Sequence, residues 1–219
     1  MKKIFVFTFM AALALCAAQF SETQAAKDPK DTKEAKEANK LARDGAEASK
    51  SQDFDKAVEL LRKATDLDHK YADELAAVYQ QRAYAAATNQ QFQDAVNDYG
   101  EAIKLKPDDA RIYEQRAAVE MKLNDNDKAL ADYSEAIKLK PNEVRYYAYR
   151  SYIYELKGDI GNSMGDTDKV LKLDPKNKEA ISRKKRLETL QSMRATPPPP
   201  PPAASRKTSP AAVQTPHKP

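Results

Sequence analysis

The groups in this 219-residue chain that could carry catalysis or hold a metal are two histidines, one cysteine and 33 carboxylates. Their placement does not assemble a site. His69 and His217 stand far apart, and Cys16 sits inside an apolar N-terminal run. There is no glycine-rich phosphate loop, no HExxH pair and no nucleophile elbow. The carboxylates alternate with lysines along polar helical faces, so no acid–base pair stands out. No enzyme, cofactor or metal site is therefore expected. A nucleic-acid reader is not expected either: the net charge is only +4, its excess lies near the C-terminus, and no groove-binding motif accompanies it. The spacing that does stand out joins Arg82 with Asp98, Arg116 with Asp132 and Arg150 with Asp166. Each arginine precedes its aspartate by 16 residues, and the pairs recur every 34. The chemistry of such a pair is structural. An arginine enclosed between helices is a desolvated charge, and an aspartate offers it two parallel hydrogen bonds.

A period of 34 residues governs the elements that would position these pairs. Residues 76–109 and 110–143 align without gaps: Tyr79 falls on Tyr113, Arg82 on Arg116, Ala95 on Ala129 and Tyr99 on Tyr133, and EAIKLKP ends both at Pro107 and at Pro141. The next interval, 144–177, brings Pro175, and 38–71 fits more loosely, with His69 in place of the closing proline. Residues 72–75 are extra, about one helical turn, which predicts a lengthened helix before Tyr79. Hydrophobic periodicity and turn residues predict helices over 31–50, 54–68, 70–88, 92–105, 109–122, 126–139, 143–157, 160–173 and 177–194. Asp31 and Glu34 have capping-box spacing. Asn124 and Gly158 suit left-handed turn positions, and the prolines stop each second helix. Val58, Leu61 and Leu67 are expected to face inward. In the last helix Ile181, Leu187 and Leu190 are expected to form an apolar stripe, with Arg183, Lys184, Lys185 and Arg186 facing outward.

The aromatic early in each first helix, the small residues Ala83, Ala117 and Ser151, then alanine, aromatic, alanine and closing proline resemble the tetratricopeptide repeat pattern over roughly residues 32–194. The resemblance implies an all-α, right-handed superhelical solenoid of about four helix-turn-helix repeats, 38–71, 76–109, 110–143 and 144–177, with a capping helix at 178–194. It also implies a concave face lined by the second, fifth, ninth and twelfth places of each repeat. Those places hold Asn39, Ala42, Ala46 and Ser49; Ala77, Gln80, Tyr84 and Ala87; Arg111, Glu114, Ala118 and Met121; and Arg145, Ala148, Tyr152 and Glu155. Among them Gln80, Tyr84, Arg111, Glu114, Met121, Arg145, Tyr152 and Glu155 are the candidates for gripping a peptide or helix of a protein partner. One subclass of the family clamps a C-terminal carboxylate with lysine and asparagine on its first helix. Ala42 and Ala46 stand at those places, so that clamp is not expected. Arg82, Arg116 and Arg150 replace an apolar residue of the common pattern, which is why they require a counter-ion. In the first repeat, Asp44 and Leu60 stand where the pair would be, so both partners are missing together.

The two ends differ in composition. Lys2 and Lys3 precede an apolar run over residues 4–18, the layout of a secretory signal peptide. At fifteen residues the run is short for a bilayer span. Residues 1–25 are expected to be removed, with 26–30 as a polar linker. Acylation of Cys16 is disfavoured because Leu15 stands where a small residue precedes an acylated cysteine. The mature chain would then lack cysteine, and helical stacking alone would carry its stability. Residues 195–219 contain six consecutive prolines, 197–202, the composition of a polyproline rod with a polar tail. Together these features predict an exported, periplasmic or secreted scaffold that binds a protein in its groove. The alternative is an envelope component whose basic last helix and proline tail attach to an anionic surface.

Overall fold

In the computed structural model, which describes residues 33–195, each predicted amphipathic segment is helical. The helices are α1 (Lys33–Lys50), α2 (Phe54–Leu67), α3 (Ala72–Thr88), α4 (Phe92–Leu105), α5 (Ala110–Lys122), α6 (Asn126–Leu139), α7 (Val144–Leu156), α8 (Ile160–Leu173) and α9 (Lys178–Ala195). A 3-10 turn, His69–Tyr71, precedes α3, so the helix expected from residue 70 begins at Ala72. It is 17 residues long where α5 and α7 have 13, which is where the four extra residues go. The capping box at Asp31, the signal segment, Cys16 and the proline run lie outside the described residues.

Consecutive helices pair as α1–α2, α3–α4, α5–α6 and α7–α8. The second helix of each pair packs on the first helix of the next, ending with α8 on α9. The described residues thus form a right-handed all-α solenoid of four hairpins closed by a capping helix. Small side chains allow the close approach. Ala83, Ala117 and Ser151 are fully buried, as are Ala95, Ala129 and Ser163 opposite them. In the first hairpin even alanine is too large. A Cβ on Gly45 would stand 2.9 Å from Leu61 Cγ. The fourth hairpin places serine hydroxyls where the third has alanine methyls, and Thr167 where it has Tyr133, and satisfies them locally. Ser163 Oγ donates to the Ser151 carbonyl at 2.8 Å, and Thr167 Oγ1 to the Ser163 carbonyl at 2.7 Å, so burial leaves neither hydroxyl unpaired.

The turns inside the hairpins carry a left-handed residue: Gln52, Gln90, Asn124 and Gly158, with φ between 60° and 72°. Two of the four are glutamines, which no turn preference singles out. Between hairpins, Tyr113 Oη donates to the Pro107 carbonyl at 3.1 Å and Tyr147 Oη to the Pro141 carbonyl at 3.0 Å. The aromatic of one repeat thereby holds the closing proline of the repeat before. Tyr79 has no such proline behind it and pairs instead with Arg62.

Three expectations are corrected. Leu67 is 42% exposed, at the end of α2 where the core has ended. Ile181 and Leu190 are exposed; Ala180, Arg183 and Leu187 are the buried face of α9. Arg183, expected outside, is only 3% exposed. The helix meets both α8 and the flank of α7, which rotates that face inward.

Candidate functional site

The three arginine–aspartate pairs form one per hairpin on α3–α4, α5–α6 and α7–α8. Arg82 Nε and Nη2 each lie 2.7 Å from an oxygen of Asp98. Arg116 makes the same two bonds to Asp132 at 2.7 Å, and Arg150 to Asp166 at 2.7 and 2.8 Å. The aspartates are buried, and the hydrogen bonds they accept raise all three guanidinium pKa values. Arg82 also reaches Asp55 at 2.7 Å, and Arg150 reaches Ser134 Oγ at 3.0 Å. Tyr79 and Tyr147 place ring faces 5.6 and 5.9 Å from the guanidinium carbons of Arg82 and Arg150, a favourable cation–π geometry. These charges are neutralised inside the fold, so they do not form a basic track.

Beside the middle pair lies Glu120, a residue the sequence did not single out. It is 3% exposed, and its Oε2 has no hydrogen-bond partner among the described residues. Its Oε1 is 4.0 Å from Arg116 Nε. Burial, then the neighbouring Asp132 charge, pushes its pKa up to about 7. The corresponding places in the flanking repeats hold Ala86 and Tyr154.

The concave face carries the exposed candidates. A cleft of about 910 Å³ runs across α1, α3 and α5 and is lined by Ser49, Ala77, Gln80, Tyr84 and Arg111, with Lys50 and Lys106 at its rim. Tyr84 is 68% exposed. Two of the cleft's cations carry local counter-ions: Lys106 is 3.2 Å from Asp73, and Arg111 is 3.0 Å from its own helix cap, Asp109. Gln115 lines the same cleft, and its amide oxygen has no donor among the described residues. Glu114, Met121 and Tyr152 meet in a second cleft of about 610 Å³ between α5 and α7. Arg145 and Tyr152 line a third, of about 470 Å³, toward α9. Arg145 pairs with Glu114 at 3.3 Å, while burial raises the Glu114 pKa.

Two groove assignments change. Ala42 is buried against the core rather than facing the groove. Glu155 is occupied by the capping helix: Arg183 Nε approaches it at 3.2 Å and Arg186 Nη2 at 2.9 Å. The Arg186 hydrogen bond, chiefly, lowers the Glu155 pKa. Arg183 also donates to Ser151 Oγ at 2.9 Å, the Ala148 carbonyl at 3.2 Å and Glu179 at 2.6 Å. Lys184 pairs with Asp168 at 2.8 Å. Three of the four cations expected to face outward are therefore tied to acids of the fold. Sequence reasoning also missed the sixth place of the second, third and fourth repeats and its equivalent on α9, which hold Gln81, Gln115, Tyr149 and Arg183, all facing the clefts. The signal was present in the 34-residue spacing, and the implied set of four groove places left it out.

A tetratricopeptide repeat family model matches residues 81–144 and again 115–178. Among solved structures, the tetratricopeptide domain of OM64 from Arabidopsis is 31% identical and covers 54% of this chain and 98% of its own, with a TM-score of 0.50. The first such domain of Spaghetti (RPAP3), solved with the HSP90 peptide SRMEEVD, is 18% identical over 55% of this chain and 95% of its own, at 0.51. A repeat protein from Parabacteroides merdae is 20% identical over 72% of this chain and 61% of its own, at 0.56. No curated protein matches the chain in sequence. The chain belongs to the tetratricopeptide repeat family, whose domains typically mediate protein–protein interaction.

Proposed function

We propose that this protein is an exported, non-catalytic scaffold that holds an extended segment or helix of a partner protein along its concave face. The observation that carries the reading is the 910 Å³ cleft across three successive first helices, with Tyr84 standing exposed in it. A tyrosine offers large apolar area and a polar tip at small entropic cost. Cleft cations with carboxylates beside them, Lys106 and Arg111, suit a partner backbone with mixed side chains better than a purely acidic tail. Ala46 at a clamp position supports the same conclusion, and binding of chaperone C-termini is not part of the proposal. Export rests on Lys2, Lys3 and the apolar run over 4–18. The surface-attachment alternative is weakened by the ion pairs of Arg183, Lys184 and Arg186 with acids of the fold.

The test is site-specific photo-crosslinking in the native envelope fraction, with the photoreactive residue at Tyr84 or, as a control, at Lys63 on the opposite side. A discrete adduct from Tyr84 that weakens with Arg111→Glu supports the groove. Identical adducts from both positions would remove it. Intact mass of the native chain tests export: loss of about 25 residues is expected, and a chain still beginning at Met1 refutes it.

A further inference from the structure

The two smaller clefts share a wall. Tyr149 and Tyr152 line both the 610 Å³ cleft toward α5 and the 470 Å³ cleft toward α9. With Leu156 they stand at i, i+3 and i+7 of α7. They form one stripe along the helix axis, about 10 Å long at ~1.5 Å per residue. All three are exposed, at 47%, 39% and 56%. At the same places α3 carries Gln81, Tyr84 and Thr88, and α5 carries Gln115, Ala118 and Lys122, so the apolar stripe belongs to α7. Each tyrosine is held from behind. The Tyr149 ring stacks on buried Tyr133, with centroids 5.5 Å apart and planes 19° from parallel. The Arg183 guanidinium lies 5.8 Å from the Tyr152 ring. Ala118 stands where α3 and α7 have Tyr84 and Tyr152, and this small residue opens the cleft beside the stripe, walled on its far side by Met121.

A ridge with a groove on either side is the surface that one helix offers another. An extended segment matches it poorly. Laid along an apolar stripe, it would lose water from backbone N–H and C=O groups that find no partner there, whereas a helix pairs its own. The charges beside the stripe select the flanks of the incoming helix. Arg145 pairs with Glu114 and Arg186 with Glu155, yet the arginine side chains are 50% and 52% exposed and the carboxylates only 18% and 16%. Lys122 lines the α5-side cleft and has no ion pair among the described residues. An approaching helix therefore meets the cations first.

We propose that the α7 stripe, with the cleft on its α5 side, docks an amphipathic helix of a partner protein whose apolar face is flanked by aspartate or glutamate. The proposal rests on reading the concave face as a partner groove, and it names the partner's conformation and charge in the C-terminal half of that groove. The apolar residues of the helix seat beside Tyr149, Tyr152, Leu156 and Met121, and its acids meet Lys122, Arg145 and Arg186.

The experiment uses the full chain and three fluorescent peptides of about 18 residues, long enough to form a helix alone. The first repeats leucine at helical spacing with glutamate on the flanks. The second has lysine in place of the glutamates. The third keeps the acids but carries two central prolines, which break the helix. Anisotropy titrations should show the first peptide binding roughly tenfold or more tightly than either of the others, and its binding should shift the Met121 methyl resonance. Leu156→Glu should weaken binding roughly tenfold or more, and Lys122→Glu about fivefold at low salt. Both side chains are exposed, and the helical melting curve is the folding control. Equal binding of the proline or lysine peptide, binding of none, or an affinity unchanged by Leu156→Glu would overturn the proposal. Self-association of the natural chain that Leu156→Glu abolishes would overturn it too, since a second copy would be the occupant. The Tyr84 crosslink reports on the other cleft. Partner capture there without helix binding refutes this inference alone, whereas identical adducts from Tyr84 and Lys63 remove the groove reading itself.

Discussion

Asp132→Ala should be least damaging where intuition makes it worst, at alkaline pH. The substitution strands Arg116, and breaking a buried ion pair costs about 3–5 kcal/mol. The Arg116 side chain is 24% exposed, which places the cost near the lower end, about 3 kcal/mol. Glu120 changes that figure. Its folded pKa is raised to about 7 from an ordinary 4.5 by burial and by Asp132. Between those values the folded state binds a proton that the unfolded state does not. The natural chain therefore loses stability as pH rises through this window, by up to about 3 kcal/mol at ~1.4 kcal/mol per unit. Without Asp132 the repulsion disappears, and the Glu120 carboxylate, 4.0 Å from Arg116, becomes the guanidinium's partner. Its pKa falls and the slope flattens. The cost of Asp132→Ala should be about 3 kcal/mol at pH 5 and about 1 kcal/mol at pH 8. Urea unfolding at the two pH values measures it, with Asp166→Ala as the control: Tyr154 replaces Glu120 there, so its cost should not fall. An Asp132→Ala penalty that is equal at both pH values, or larger at pH 8, refutes the reasoning.

Other outcomes follow from the same structure. Arg183→Ala removes a buried guanidinium that joins α9 to Ser151 and Glu155, and leaves Glu155 with Arg186 alone; hydrogen exchange over 178–195 should quicken by about tenfold or more, from a local loss of roughly 1.5–3 kcal/mol. Gly165 lies in α8 with no neighbouring atom within 4 Å of where a Cβ would stand, so Gly165→Ala should add about 0.8–1 kcal/mol of stability in denaturant melts. Gly45→Ala should instead cost about 1–3 kcal/mol, since its methyl meets Leu61 in a packed core; the two changes moving the midpoint in the same direction would contradict the packing described. Native-state exchange should show 92–105 and 126–139 protected longest, because the array frays from its ends; equal protection at 160–173 would count against this.

The sequence by itself carried whatever is completed within one period. The close approach of paired helices is visible in Ala83, Ala95, Ala117 and Ala129 because both faces of that contact lie in the same hairpin. The arginine–aspartate spacing is visible for the same reason: 16 residues bring the two side chains to facing sites on adjacent helices, and an arginine at an otherwise apolar place implies a partner. The left-handed turns at Asn124 and Gly158 are legible from residue type, whereas Gln52 and Gln90 adopt the same φ because the hairpin geometry outweighs their modest preference against it.

Tertiary structure decided whatever depends on a neighbour outside the period. Helix α9 has no following repeat, so its inward face is set by how it lies on α7 and α8. That contact buries Arg183 and leaves Ile181 in solvent, against a hydrophobicity pattern that suggested the reverse. The same contact withdraws Glu155 from the groove. Glu120 reads as an ordinary surface glutamate in the sequence; only its enclosure beside Asp132 makes it a group that titrates near neutrality. The clefts, too, belong to the stacked array, since each is walled by residues some 34 apart in sequence that meet only because one first helix lies beside the next.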